Sequence, residues 1–369
     1  MRVPTMQAFL KKYLPWIVAG IVLLVGWLWP NWLPWLLLAL SIAAWLFLPR
    51  RGLIGPVELP ADDAFLPTEQ VQWWYWTGHL FSEDGRRFGF EVVFFSFDSL
   101  VIFRDQLVQA AVTDVDGQKF SFEEFVEFHL PQRTPNGFNL TSGKDNKVTA
   151  VGGGGNDRLH AEVDGYVLDL ELKSTQAPAL HYGGDAHPYR FGGYTYYYSR
   201  PKMATTGTIS VGGQTFKVSG NSWFDRQYGE LYQAIQQGWQ WFAIELADNR
   251  QIMLFDFKGS DSNVEKSGSI TDAQGQTVTL AAHEFEVKVL GEWTSPHTGC
   301  TYPSGWEVSV RGETFTVEPL VKDQELRAQH KLWVGPVYWE GACAVTGTSA
   351  GQAYVELNGF CRCPNKGLG

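Results

Sequence analysis

The chain has 369 residues, enough for two domains and an appendage. A net charge of −10, with no Lys/Arg-rich stripe, excludes a nucleic-acid partner, because phosphate binding needs a basic surface. Trp 16, Tyr 14, Phe 24 and Gly 39, against only 18% charged residues, favour many short strands and tight turns over long solvated helices.

The N-terminal stretch differs in kind from the rest. Residues 13–29 are apolar and uncharged, Pro30-Asn31 breaks the run, and 32–49 are apolar again. Each run is about as long as a bilayer-crossing helix must be, and lipid cannot satisfy the backbone of anything less regular. Trp16, Trp27, Trp29, Trp32, Trp35 and Trp45 fall near the ends and the break, where interfacial aromatics belong. The expectation is a transmembrane helical hairpin within an anchor spanning 1–51. Lys11, Lys12, Arg50 and Arg51 flank it on one side, which places the remainder in the cytoplasm, tethered to the inner or plasma membrane. A single crossing with a re-entrant half would reverse that topology. The residues around Pro49 make a poor signal-peptide cleavage site.

Residues 52–66 read as an extended, Pro-containing linker. From Val71 onward, strand-like runs such as 88–95 and 106–113 alternate with turn signals at Glu83-Asp84-Gly85, Asp114-Val115-Asp116-Gly117 and Asp164-Gly165. Gly152 to Asp157 is a turn, since a phosphate loop would need a Lys-Ser/Thr pair and a following helix. Hairpins are expected over 160–172, 207–218 and 239–258, the last turning at Asp248-Asn249. Only 120–128 and 322–329 offer short helical stretches. Strand after strand at this spacing implies barrels or sandwiches. The fold expected is all-β, with two β-barrel domains over 52–232 and 233–369.

Cys300, Cys343, Cys361 and Cys363 are too sparse for a disulfide framework, and Cys361-Arg362-Cys363 is one residue short of a CxxC clip. They read as reduced thiols. His181 and Asp185-Ala186-His187 lie in a Gly-rich loop but supply too few placed ligands for a metal, so neither metal nor cofactor is expected. A G-x-S-x-G elbow is missing, which removes Ser-His-Asp hydrolysis.

Three blocks stand in a recognisable order. The first is Gln72-Trp73-Trp74-Tyr75-Trp76-Thr77-Gly78-His79-Leu80. The second runs from Tyr196-Tyr197-Tyr198-Ser199-Arg200-Pro201 through Ser222-Trp223-Phe224-Asp225-Arg226-Gln227-Tyr228-Gly229 to Trp239-Gln240-Trp241-Phe242. The third is Tyr338-Trp339-Glu340-Gly341-Ala342 with Tyr354-Val355-Glu356-Leu357-Asn358-Gly359-Phe360. Over about residues 67–361 the chain resembles the AttH-like proteins and the related carotenoid 1,2-hydratases. The resemblance implies two packed lipocalin-like barrels and a pocket for a long apolar molecule, a carotenoid or other prenyl lipid. Hydratase chemistry would need an acid that protonates an isoprenoid alkene and aromatics that stabilise the cation.

The candidate acids are Asp225 and Asp256, each of which burial would keep protonated near neutral pH. Trp239 and Trp241, with Trp223, Trp74 and His79, are the candidate substrate-binding residues. Two positions depart from the resemblance: Phe224 stands where the hydratases carry His, and Gln72 where Glu is usual. Plainer roles are open at each site. Asp225 can form a buried pair with Arg226, the tryptophans can fill a barrel end, and His79 can satisfy a backbone group. Three functions follow: a hydratase, cyclase or isomerase acting on a prenyl lipid; a lipid carrier without catalysis; or a membrane scaffold.

Overall fold

Apolar–polar alternation between turns marked by Gly, Asn and Asp drives the chain into antiparallel strands. The computed structural model describes residues 55–100, 103–129, 134–257, 265–329 and 337–361. The two expected membrane spans lie outside these residues. Among the described residues no helix is long and apolar enough to cross a membrane.

The first sheet opens with β1 (Val71–Ser82), β2 (Arg87–Leu100), β3 (Phe103–Asp114) and β4 (Lys119–His129). Shorter strands follow: β5 (Phe138–Ser142), β6 (Val148–Gly153), β7 (Asn156–Val163) and β8 (Tyr166–Ser174). After β9 (Ala179–Leu180) and β10 (His187–Pro188) comes a long hairpin of β11 (Tyr194–Val211) and β12 (Gln214–Glu230). The spatial order is β4-β3-β2-β1-β12-β11-β8-β7-β6-β5. A short helix, α1 (Tyr232–Gln237), leads to the second sheet. That sheet begins with β13 (Trp239–Leu246), β14 (Gln251–Phe257), β15 (Lys266–Thr271) and β16 (Thr277–Leu280). Next are β17 (Phe285–Val289), a separate hairpin of β18 (Glu292–Thr294) and β19 (Thr301–Pro303), β20 (Trp306–Val310) and β21 (Glu313–Pro319). The chain ends on β22 (Glu325–Leu326), β23 (Tyr338–Gly347) and β24 (Gly351–Asn358). Here the order is β16-β15-β14-β13-β24-β23-β21-β20-β17. Each sheet curls into a nearly closed, lipocalin-like barrel.

Both barrel interiors are filled by side chains. Trp74, Trp76, Phe90 and Tyr196 pack inside the first, and Phe242, Trp306, Phe315 and Trp339 inside the second. A third apolar cluster joins the outer faces of β1, β2 and β12 to those of β13, β14, β23 and β24. The two sheets come close at Gly89, where an added Cβ would meet the Ala342 Cβ at 2.7 Å. Any larger residue there would push the barrels apart.

Several expectations need correction. Residues 120–128 belong to strand β4, where Phe120 and Phe122 stack two apart on one face and pair with β3, and 322–329 hold strand β22, whose Glu325 and Leu326 pair with β23. The actual helix, α1, carries too weak an apolar period to be seen. The linker is no free tether. Asp62 and Asp63 sit in a single 3-10 turn and are buried against the first barrel. Asp63 holds Arg200 by two hydrogen bonds of 3.0 and 2.9 Å and also accepts from Tyr198 and the Gly154 amide. The reduced-thiol reading also fails for two cysteines: Cys300 and Cys361 form a disulfide, with Cα atoms 5.0 Å apart. They lie 61 residues apart, beside β19 and just past β24, so only the fold brings them together. Closing a loop of that size stabilises by about 4 kcal/mol in the chain-entropy account. Cys343 is free and buried.

The Asp63–Arg200 pair supports a direct test. Replacing Asp63 by Ala strands a buried guanidinium, so urea denaturation should show a loss of about 3–5 kcal/mol. A change below about 1 kcal/mol would show that water reaches Arg200.

Candidate functional site

Strand pairing lines up two rows of side chains that face each other between the barrels. In the first sheet Val93, Tyr75, Asp225 and Ser199 stand side by side on β2, β1, β12 and β11. In the second, Phe255, Trp241, Glu356 and Glu340 do so on β14, β13, β24 and β23. The rows are tied by the Tyr75 hydroxyl, which donates to Glu340, and by the Trp241 indole, which donates to Tyr197 Oη at 3.1 Å. They enclose a cavity of about 420 Å³, within the usual range for small-molecule sites. The pocket therefore lies between the barrels and not inside either one.

Its walls are aromatic and its polar groups acidic. Trp73, Tyr75, Trp239, Trp241 and Phe255 supply ring faces and edges; Tyr232 and Ile235 of α1 line one side. Asp105, Asp225, Glu340 and Glu356 also line it, and no Lys or Arg does among the described residues.

Asp225 is 4% exposed and accepts three hydrogen bonds. The Ser199 hydroxyl (2.5 Å) and the Trp223 indole (2.6 Å) donate to Oδ1, and the Tyr197 hydroxyl (2.6 Å) donates to Oδ2. Burial pushes its pKa up to about 7, even though those three donors pull it down. Glu356 is likewise raised to about 7, by burial, with the Trp239 indole favouring its charged form. Glu340 is raised well above the carboxylate range by burial and then by Glu91 and Glu356. Glu91, on β2 behind the cavity, is 1% exposed and neither oxygen has a hydrogen-bond partner. Burial and then Glu356 raise it strongly. Asp225, Glu340, Glu356 and Glu91 thus stand close together, and like charges there cannot all ionise.

The candidates from sequence divide by strand parity. Asp225, Trp239 and Trp241 line the cavity, and Trp223 stands behind Asp225, edge-on to Trp241 at 6.2 Å. Asp256 does not join them. It shares the face of Leu254, toward the second barrel's interior, while Phe255 takes the cavity side. Trp74 is inside the first barrel under the Arg226 guanidinium, 3.9 Å from its ring centre. His79 holds the Ala353 carbonyl (2.9 Å) and accepts from Arg87 (3.0 Å), and burial drives its pKa down to about 3. The Asp225–Arg226 pair does not form, because neighbours on a strand point to opposite faces. Arg226 instead bonds the carbonyls of Asp62, Trp73 and Ala64 and the Gln72 side chain. Among the described residues no group of three or more His, Cys, Asp or Glu is arranged to hold a metal ion. Sequence reasoning missed Glu340, Glu356 and Glu91. Two of these stand in the third motif block, and the register opposite Trp241 was the signal that would have found Glu356.

The AttH-like family profile matches residues 53–360, and the chain belongs to that family. A crystal structure of a protein assigned to AttH from Nitrosomonas europaea superposes with a TM-score of 0.74 at 25% identity, covering 85% of this chain and all 100% of that one. Kievitone hydratase from Nectria haematococca superposes with a TM-score of 0.65 at 17% identity, covering 84% and 97%, a likeness of fold. No curated protein matches the sequence.

The raised carboxyls make stability depend on pH. Between about pH 4 and 7 the folded chain keeps protons on Asp225 and Glu356 that the unfolded chain has lost. Stability from these groups is therefore greatest at the acidic end and falls as pH rises through 7, by up to roughly 1.4 kcal/mol per pH unit for each carboxyl. Melting curves at pH 5 and 8 should show this drop, and Asp225→Asn and Glu356→Gln should each shrink it. An unchanged drop in both variants would place the titration elsewhere.

Proposed function

We propose that this AttH-like protein is an acid–base enzyme that adds water to, or rearranges, an alkene of an apolar small molecule held between its barrels. The observation that carries the reading is Asp225, a carboxyl poised near neutrality in an aromatic-walled cavity. Its proton would form a C–H bond at one alkene carbon and leave a cation on the other. The rings of Trp239, Trp241 and Tyr75 face the space where that charge develops. Water then forms the C–O bond and its surplus proton returns to Asp225 or passes to Glu356. With acids and no base on its walls, the cavity disfavours anionic ligands. Its volume equals roughly a dozen waters at ~30 Å³ each, which suits a prenyl end group better than a whole carotenoid.

One observation favours a carrier instead. Both oxygens of Asp225 already accept hydrogen bonds, an arrangement that also serves a purely structural carboxylate. Solvent extraction of the purified protein, followed by mass spectrometry, identifies the occupant. Incubating that molecule with protein in ¹⁸O-water should yield a product carrying the label, or a deuterated isomer in heavy water. Asp225→Asn should cut turnover by a factor of roughly 100 or more while leaving retention nearly unchanged. Trp239→Ala should weaken retention. A stable Asp225→Asn protein with full turnover removes Asp225 from the chemistry, and no turnover in wild type leaves the carrier.

The same reading puts the pocket beside the phase in which a prenyl lipid dissolves. The flanking charges argue for the cytoplasmic side, but the Cys300–Cys361 bond favours an oxidising compartment. An anchor that crossed the membrane once would leave the barrels outside the cytoplasm, where the disulfide is favoured. In spheroplasts, added protease should cut the barrels, and Cys300 and Cys361 should resist alkylation until reduced. Protected barrels with alkylated thiols would restore the cytoplasmic topology.

A further inference from the structure

The hydrogen bonds behind Asp225 continue away from the cavity. Ser199 Oγ, which donates to Oδ1, lies 2.7 Å from His181 Nε2, and His181 Nδ1 lies 3.1 Å from Ser269 Oγ. Ser199 is on β11, His181 directly follows β9, and Ser269 is on β15, so this line crosses from one barrel to the other. All four side chains are buried, His181 to 2% exposure.

Counting hydrogens fixes the direction of each bond. An ionised Asp225 only accepts, and Ser199 has a single hydroxyl hydrogen, which goes to Oδ1. His181 Nε2 must then donate to Ser199 Oγ. A neutral ring protonated on Nε2 has a bare Nδ1, which accepts from the Ser269 hydroxyl. Burial drives the His181 pKa down to about 3, so no second ring proton competes. At the far end, Oδ1 also receives the Trp223 N–H, whereas Oδ2 has only the Tyr197 hydroxyl. A proton added to Asp225 is thereby excluded from Oδ1 and goes to Oδ2, where the Tyr197 hydroxyl turns its own hydrogen away and becomes the acceptor. In the other His181 tautomer, Ser199 would turn its hydrogen toward Nε2, and Oδ1 could take the proton instead.

We propose that His181 is a positioning residue: held in its Nε2–H tautomer by Ser269, it locks the Ser199 hydroxyl onto Asp225 Oδ1 and so directs the acid proton to Oδ2. The proposal rests on reading Asp225 as the acid. The titratable groups around the line are few. Asp225 meets Tyr197 on β11 and feels Glu340 and Glu356 across the cavity. His181 packs on the Tyr197 ring, 4.1 Å between centroids. Its own loop carries Tyr182, stacked on His187, and His187 pairs at 2.6 Å with Glu265, which directly precedes β15.

Two measurements test it, and neither needs a substrate. The first is nitrogen NMR of full-length protein labelled at histidine, from pH 5 to 8, with His181 assigned by its loss in His181→Gln. The expected spectrum is the Nε2–H tautomer throughout. An Nδ1–H ring, or an imidazolium anywhere in this range, overturns the proposal. The second follows the Asp225 carboxyl by infrared difference spectroscopy against Asp225→Asn. Without a ring donor, His181→Phe frees Ser199 to rotate, so the Asp225 midpoint should rise by about one pH unit. The ionised fraction at pH 7 then falls from about half to about a tenth. His181→Gln, whose amide N–H can replace Nε2, should restore the wild-type midpoint. A merely structural histidine would lower the melting temperature and leave the Asp225 midpoint in place, which also overturns the proposal. If Asp225→Asn keeps full turnover while both measurements come out as expected, the enzymatic reading fails and the positioning stands.

Discussion

The strands at the centre of this molecule are buried on both faces, and the rest of the structure follows from that. Along β1, Trp74 and Trp76 fill the first barrel while Trp73 and Tyr75 face the second domain. β13 does the same, with Phe242 and Ile244 inward and Trp239 and Trp241 outward. Each strand therefore serves two cores at once. With both barrel interiors filled, the aromatic-walled cavity lies in the seam between them. The seam is made from the outer faces of two sheets packed against each other, and aromatic rings supply most of its wall.

Burial sets the state of the acids there. A carboxylate moved out of water must be paired, hydrogen-bonded or protonated. Asp225 has three donors and sits near neutrality. Glu340 has the Tyr75 hydroxyl and the charge of its neighbours against it. Glu91 has no hydrogen-bond partner on either oxygen and is pushed strongly toward the neutral form by burial and by Glu356. The seam holds five acids, and burial raises four of them, Asp225, Glu356, Glu340 and Glu91, toward the neutral form. Ionising any one makes the next harder to ionise, so the group passes protons more readily than it accumulates charge.

Much of the fold was legible because turns and period-two runs are local signals. The hairpins turning at Asp164-Gly165 and Asp248-Asn249 appear where the residues put them. What sequence could not supply was which face of a doubly buried strand looks where. Asp256 and Phe255 are adjacent and both apolar-flanked, and only the register with Trp241 shows that Phe255 takes the cavity side. Trp74 and Trp73 pose the same ambiguity, as do His79 and Gly78. Long-range closures were equally hidden. Neither the Cys300–Cys361 bond nor the Asp63–Arg200 pair leaves a mark in local pattern.

Parity also explains the two departures from the resemblance. In Trp223-Phe224-Asp225-Arg226 the odd positions face the seam and the even ones face the first barrel. Phe224 therefore packs against Trp76, Phe138 and Tyr198 inside that barrel, on the opposite face from Asp225. Gln72 is another inward position, and its side chain holds Arg226 at 2.8 Å and both polar groups of Leu66. A neutral amide suffices there because the guanidinium is already surrounded by backbone carbonyls. Both changes repack or re-bond the barrel that carries the site and leave the cavity wall untouched. The cavity face of the chain is thus built by its outward residues, where Trp223, Asp225, Trp241 and Glu356 stand together.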